Sequence, residues 1–81
     1  MPYIKPQDRT KFDTLIRELR EVIETEGEYN YVITSLLLPE DISYQKINTI
    51  VGILECVKLE FYRRAAATYE DQKIKDNTDV Y

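Results

Sequence analysis

The chain contains no histidine, no tryptophan and a single cysteine. Without histidine there is no imidazole to activate a serine or cysteine nucleophile, no proton shuttle near neutral pH, and no member of the commonest zinc-ligand set. A lone thiol, Cys56, makes no internal disulfide. Long apolar runs are missing as well: "SLLLP" ends at Pro39, far short of the roughly 20 apolar residues that span a bilayer. The opening "MPYIKPQDRT" has no apolar segment of the signal-peptide kind. A soluble, cytoplasmic protein with no membrane partner is expected. Positive charge is also scarce, with 11 Lys and Arg against 15 Asp and Glu, a net charge of −4 and a pI near 4.8. Binding to a nucleic acid polymer needs clustered cations that displace counterions, so it is not expected.

What is present is apolar enough to fold. Hydrophobic residues make up 43% of the 81 residues, with only two glycines, which sets the chain apart from disordered segments. A compact domain of this size still buries only about 60% of the surface its unfolded chain exposes. Assembly with further copies is one way to enlarge such a core. A single domain over residues 1–81 is expected, with arms at residues 1–5 and 73–81.

Apolar spacing predicts an all-α fold, a small helical bundle. Pro2 and Pro6 give an extended start, and Pro6 suits the first turn of a short N-terminal helix through about Phe12, with Asp8 near its positive end. Asp13 is expected to cap a second helix, in which Leu15, Ile16, Leu19, Val22 and Ile23 recur at helical spacing before Gly27 stops it. "EYNYVITSLLLPED" has a strand-like "YVIT", but Tyr29, Val32, Ile33, Leu36 and Leu37 share a helical stripe, and no second strand is at hand to pair with it. This third helix ends at Pro39. Ser43 caps the longest element, where Ile47, Ile50, Leu54, Val57 and Phe61 alternate steps of three and four. Carried to Gln72, that helix would span roughly 45 Å, against a radius of gyration of about 12 Å for a compact monomer of this length. It must therefore break near "RRAAATY" or overhang onto another subunit. "KIKDNTDVY" lacks an apolar stripe and is expected to be irregular.

Three clusters carry possible chemistry. Glu18, Glu21 and Glu24 form an acidic ladder of the kind that holds Mg²⁺ in all-α nucleotide pyrophosphohydrolases. The second half of such a site is missing, because Lys58, Arg63 and Lys73 stand three residues after Glu55, Glu60 and Glu70. Arg17 and Arg20 precede Glu21 and Glu24 by four, which favours a solvated, salt-bridged face and no metal site. Cys56 reads as a buried packing thiol. "EFYRR" is more informative. Glu60 and Arg64 are four apart, an intrahelical pair that leaves Arg63 unengaged beside Tyr62, with Tyr69 seven residues on and on the same face. Arginine forks take phosphate oxygens and aromatic rings stack on bases, so this face is a candidate nucleotide site; the competing reading is ordinary packing. Seven tyrosines without tryptophan favour interfaces and small-ligand pockets. Tyr3 and Tyr81, in the arms, are expected to dock across a subunit boundary.

"YNYVITSLL", "LECVKLEFYRRAAATYEDQKI" and "DNTDVY" resemble a family of small uncharacterised all-helical proteins of phages, bacteria and archaea, over nearly the whole chain. That resemblance implies no activity. The family pattern carries proline where Thr68 stands, and an Asn-Gly-Asp turn where Asn77, Thr78 and Asp79 stand. A looser similarity, in size, class and the Arg-Ala run at Arg64 to Ala66, links the chain to helical phage proteins that sequester cyclic nucleotide immune signals. It implies an anti-defence role, in the host cytoplasm, for a homo-oligomer.

The expected function is non-enzymatic binding of a small anionic ligand, a signalling nucleotide, at boundaries between identical subunits, with no cofactor. Tyr62, Arg63 and Tyr69 form the expected face, joined by Arg64, Lys58 and Tyr3. The alternatives are a protein-binding adaptor or inhibitor using the same aromatic surface, and a magnesium-dependent hydrolase built on Glu18, Glu21 and Glu55.

Overall fold

A computed structural model describes residues 3–81, and within them every regular element is helical. The expectation for residues 1 and 2 lies outside the described residues. Helix α1 runs Pro6–Val22, α2 Glu26–Leu37 and α3 Tyr44–Phe61; a π-helical segment, Tyr62–Ala66, then leads without a break into α4, Ala67–Asn77.

The short first helix and the one after it are a single element. Pro6 occupies the first turn of α1, where its missing N–H would have no partner in any case, and the Asp8 amide closes onto the Lys5 carbonyl at 2.9 Å. Asp13 lies inside this helix and caps nothing. No proline or glycine between Phe12 and Thr14 interrupts the ladder, so no orphan donors exist there for a cap to satisfy.

Gly27 likewise does not stop a helix; it lies in the first turn of α2 with a negative φ. The break comes earlier, through a capping box. The Thr25 hydroxyl accepts from the Glu28 amide at 3.1 Å, and Glu28 Oε1 accepts from the amides of Thr25 and Glu24, both at 2.9 Å. These three bonds satisfy donors at the start of α2 and fix the sharp turn out of α1. Donation from the Glu24 amide, then the Thr25 amide and the Thr25 hydroxyl, also pulls the Glu28 carboxyl below its ordinary range. Thr25→Ala should cost about 1 kcal/mol in a urea titration at fixed protein concentration, while Thr25→Ser stays near wild type.

Pro39 ends α2 as expected, and the Ser43 hydroxyl caps α3 by accepting from the Lys46 amide at 3.2 Å. Downstream, the helix neither breaks nor runs as a regular α-helix. At Tyr62 the hydrogen bonding widens, and the Ala67 amide reaches back five residues to the Tyr62 carbonyl. Such a segment absorbs one extra residue and is frequent at functional sites. The helix continues past Gln72 to Asn77, so the irregular part of the expected C-terminal arm, residues 73–81, is reduced to residues 78–81. Thr78, with φ 65° and ψ 155°, ends it in a backbone region that favours glycine and costs other residues about 1–3 kcal/mol.

The chain is extended, with a radius of gyration of 16.7 Å and extents of 50 × 32 × 29 Å. Among the described residues none is buried. Its 7778 Å² of accessible surface compares with about 5,100 Å² for a compact monomer of 9.6 kDa. The stripes of α1, α2 and α3 are therefore real but only half covered, and Cys56 is exposed rather than a packing thiol. The helices of one chain lie too far apart to close over it.

Candidate functional site

Glu60, near the C-terminal end of α3, organises the site. With 16% of its side chain exposed, it is better covered than any of the large apolar side chains of α3 that stand exposed around it. Arg63 lies one turn on and forks onto it: Nη2 donates to Oε1 and Nε to Oε2, the latter at 3.3 Å. From the N-terminal arm the Tyr3 hydroxyl donates to Oε1 at 2.6 Å, a contact between residues 57 apart in sequence. One carboxylate thus ties the arm to the long helix immediately before the π-helical segment.

This arrangement reverses the expected pairing. Glu60 takes Arg63 rather than Arg64, and Arg64 has no hydrogen bond or ion pair among the described residues. Positions three and four residues on both neighbour a helical side chain. The two-pronged Arg63 bond is the stronger geometry, and with Tyr3 it fills both carboxylate oxygens. Arg64 still acts on the cluster, since its charge lowers the tendency of both Tyr3 and Glu60 to hold their protons. Tyr3, Arg63 and Arg64 are thus brought together.

The remaining expected residues go elsewhere. Tyr62 donates to Glu70, at 3.2 Å from Oε1 and 3.1 Å from Oε2. Tyr69 packs under the ammonium of Lys73, 5.5 Å from its ring centroid. Both departures follow from the π-helical segment between them. By absorbing one residue, worth about 100° of turn, it brings position 70 over Tyr62 in place of position 69. Lys58 pairs with Glu55 at 3.5 Å, both well exposed, a pair of small energetic weight. Tyr3 docks within its own chain, not across a boundary, and Tyr81 is fully exposed.

Of the acidic ladder only Glu18 and Glu21 lie on α1, Glu24 falling beyond its end, and no group of three or more Asp, Glu or Cys that could hold a metal ion occurs among the described residues. Nor does Arg17 or Arg20 form an ion pair with Glu21 or Glu24 there. That face is solvated without the expected salt bridges.

The latch titrates at both ends. Arg63 and then Tyr3 hold the Glu60 carboxyl below its ordinary value, so their contribution is present above the usual carboxylate range and is lost as pH falls through the lowered value. Donation to Glu60 raises the Tyr3 phenol above its ordinary 10.0, so that contribution holds below 10.0 and is lost as pH rises through the raised value. Carboxyl-carbon NMR should place the Glu60 midpoint below that of a free glutamate side chain. Tyr3→Phe should move it back upward; an unmoved midpoint would mean that Tyr3 does not hold Glu60 in solution.

Among the described residues no helix is long and apolar enough to cross a membrane. A family model described as "Domain of unknown function (DUF6899)" matches residues 1–80. No curated protein and no solved structure matches the chain.

Proposed function

The chain belongs to that family, DUF6899, whose description assigns no activity, and we propose that this member is a non-enzymatic binding protein. Its ligand is a small anionic molecule, a signalling nucleotide, held by stoichiometric capture at boundaries between copies of the chain. The observation that carries this reading is the Glu60 cluster. Two arginines and a phenol converge on one largely covered anionic group, and one of the arginines, Arg64, has no hydrogen bond or ion pair among the described residues. Phosphate oxygens offer the same charge and accept the same fork as a carboxylate. A phosphate arriving beside Arg64 and competing with Glu60 for Arg63 would meet donors already in place, with the ring of Tyr62, at the start of the widened turn, as a stacking surface; Tyr69, turned off that face beneath Lys73, takes no part. The loose resemblance in size, class and the run Arg64 to Ala66 to phage proteins that sequester cyclic nucleotides points the same way by analogy alone. An anti-defence role in a host cytoplasm follows only on that analogy.

The test is native mass spectrometry of the protein, alone and with linear and cyclic nucleotides plus Mg²⁺. An oligomer that retains one intact nucleotide supports capture; a nucleotide released in hydrolysed form would make the protein an enzyme. An oligomer indifferent to the panel favours the second reading, an adaptor or inhibitor. That reading has an observation of its own, the large exposed side chains Tyr31, Leu36, Leu38 and Tyr44 around α2 and the start of α3.

A further inference from the structure

We infer that the chain pairs with a second copy of itself through α3, antiparallel, about a two-fold axis near Leu54, with Phe61 of each copy seated in the apolar groove of the other. The inference gives a geometry to the self-assembly that the proposed function assumes, and rests on that reading only in taking the partner to be a second copy.

Four observations converge on it. Against the surface expected of a compact chain, the excess is about 2,700 Å² per copy, so pairing can bury an area in the obligate class, above about 2,000 Å² in total. Next, α3 presents apolar residues over more than half its circumference, the pattern of a helix enclosed by neighbours. Within one chain α2 lines only the N-terminal half of that surface. There, a groove of about 220 Å³ is bounded by Ile33, Leu37, Ile42, Ile47, Ile50 and Leu54. Apolar cavities of about 150 Å³ accept benzene, so the groove has room for a benzyl side chain. Among the described residues nothing comparable covers the C-terminal half of the seam, Val57 and Phe61, and Phe61 is 70% exposed.

Lastly, the seam is close to symmetric about its middle. Ile47 and Phe61 lie seven residues either side of Leu54, about 10 Å each way at 1.5 Å per residue. Turning a second copy end for end therefore brings its bare half over the grooved half of the first, twice. Parallel pairing would set groove against groove and leave both Phe61 side chains together, and it would align the helix dipoles unfavourably. The pairing is isologous and closes on itself, as symmetric dimers do.

The experiment is double electron–electron resonance on ligand-free protein in a Cys56→Ser background, with a spin label at Ile53→Cys or, separately, at Lys46→Cys. Antiparallel pairing near Leu54 puts the two residues 53 side by side and separates the two residues 46 by about 24 Å along the helix axes. A short distance at 53 with a long one at 46 is expected. The pair at 53 is read by line broadening of the continuous-wave spectrum. Broadening at both positions would mean parallel pairing, and neither broadening at 53 nor a dipolar signal at 46 at micromolar protein would mean a monomer; either overturns the inference. A second check is Phe61→Asp, expected to raise the dimer dissociation constant at least about a hundredfold, while an unchanged constant would remove Phe61 from the interface. Because no nucleotide is present, failure here leaves ligand capture to be judged by the nucleotide panel alone.

Discussion

Each tenfold dilution of this protein is expected to lower its melting temperature by about 3–5 °C, with the helical signal and the dimer lost together. The reason lies in the absence of a core. A monomer of 81 residues with no buried residue among those described has no apolar interior to offset the conformational entropy of ordering its backbone, which is roughly 1–2 kcal/mol per residue. In the proposed dimer the missing burial comes from the second copy, and stability then depends on concentration. For a dimer of this chain the unfolding entropy is that of about 160 residues, so the 1.4 kcal/mol carried by a factor of ten in concentration converts to a few degrees. Circular dichroism melts over three decades of concentration, paired with sedimentation equilibrium, measure both sides of that link. A melting temperature indifferent to concentration, in a sample sedimenting at 9.6 kDa, would show that the isolated chain closes on itself into a form more compact than the one described.

The same openness governs how far the sequence could be read. Helical stripes were legible because residues such as Leu19, Ile23, Val32, Leu37 and Ile50 keep a 3.6-residue period wherever their cover comes from. Pro39 and Ser43 were legible because a missing N–H and a hydroxyl cap act within one turn. Thr25 and Glu28 carry the Thr-x-x-Glu signature of a capping box just before an apolar run, and giving Gly27 the role of a stop concealed it. The wide turn at Tyr62–Ala66 had no such signal: the run "RRAAA" is good α-helix former throughout, and a π-helical turn reflects where the side chains on either side find partners. Everything counted across that turn shifted by one position, which is why Tyr69 left the Tyr62 face and Glu70 took its place. Tyr3 was legible as a residue in need of a partner. That its partner is Glu60, 57 residues away, is a tertiary fact with no local trace.

Two substitutions at the Glu60 cluster should move anion binding in opposite directions, and this split is the sharpest available test of the site. Arg63→Ala removes the fork and should weaken nucleotide binding by a hundredfold or more, roughly what hydrogen bonds to charged groups carry, while the oligomer persists. Arg63→Lys should recover little, because an ammonium cannot reproduce two parallel bonds from a planar group. Glu60→Gln keeps the shape of the side chain but removes the negative charge that competes for the same fork, so it should tighten binding roughly tenfold or more and steepen its loss with added salt. Isothermal titration with the tightest nucleotide from the panel, at two salt concentrations and with native mass spectra of each variant, reads all of these. The opposite signs matter because a purely structural latch predicts something else. If Glu60 serves only to hold Tyr3 and Arg63 in place, Glu60→Gln and Arg63→Ala both loosen the arm, both change the assembly, and neither strengthens an anion's hold. Removing a negative charge near an anion tightens its binding to a degree that salt screens; a gain beyond that means that the carboxylate was holding the arginine the ligand's own charge takes.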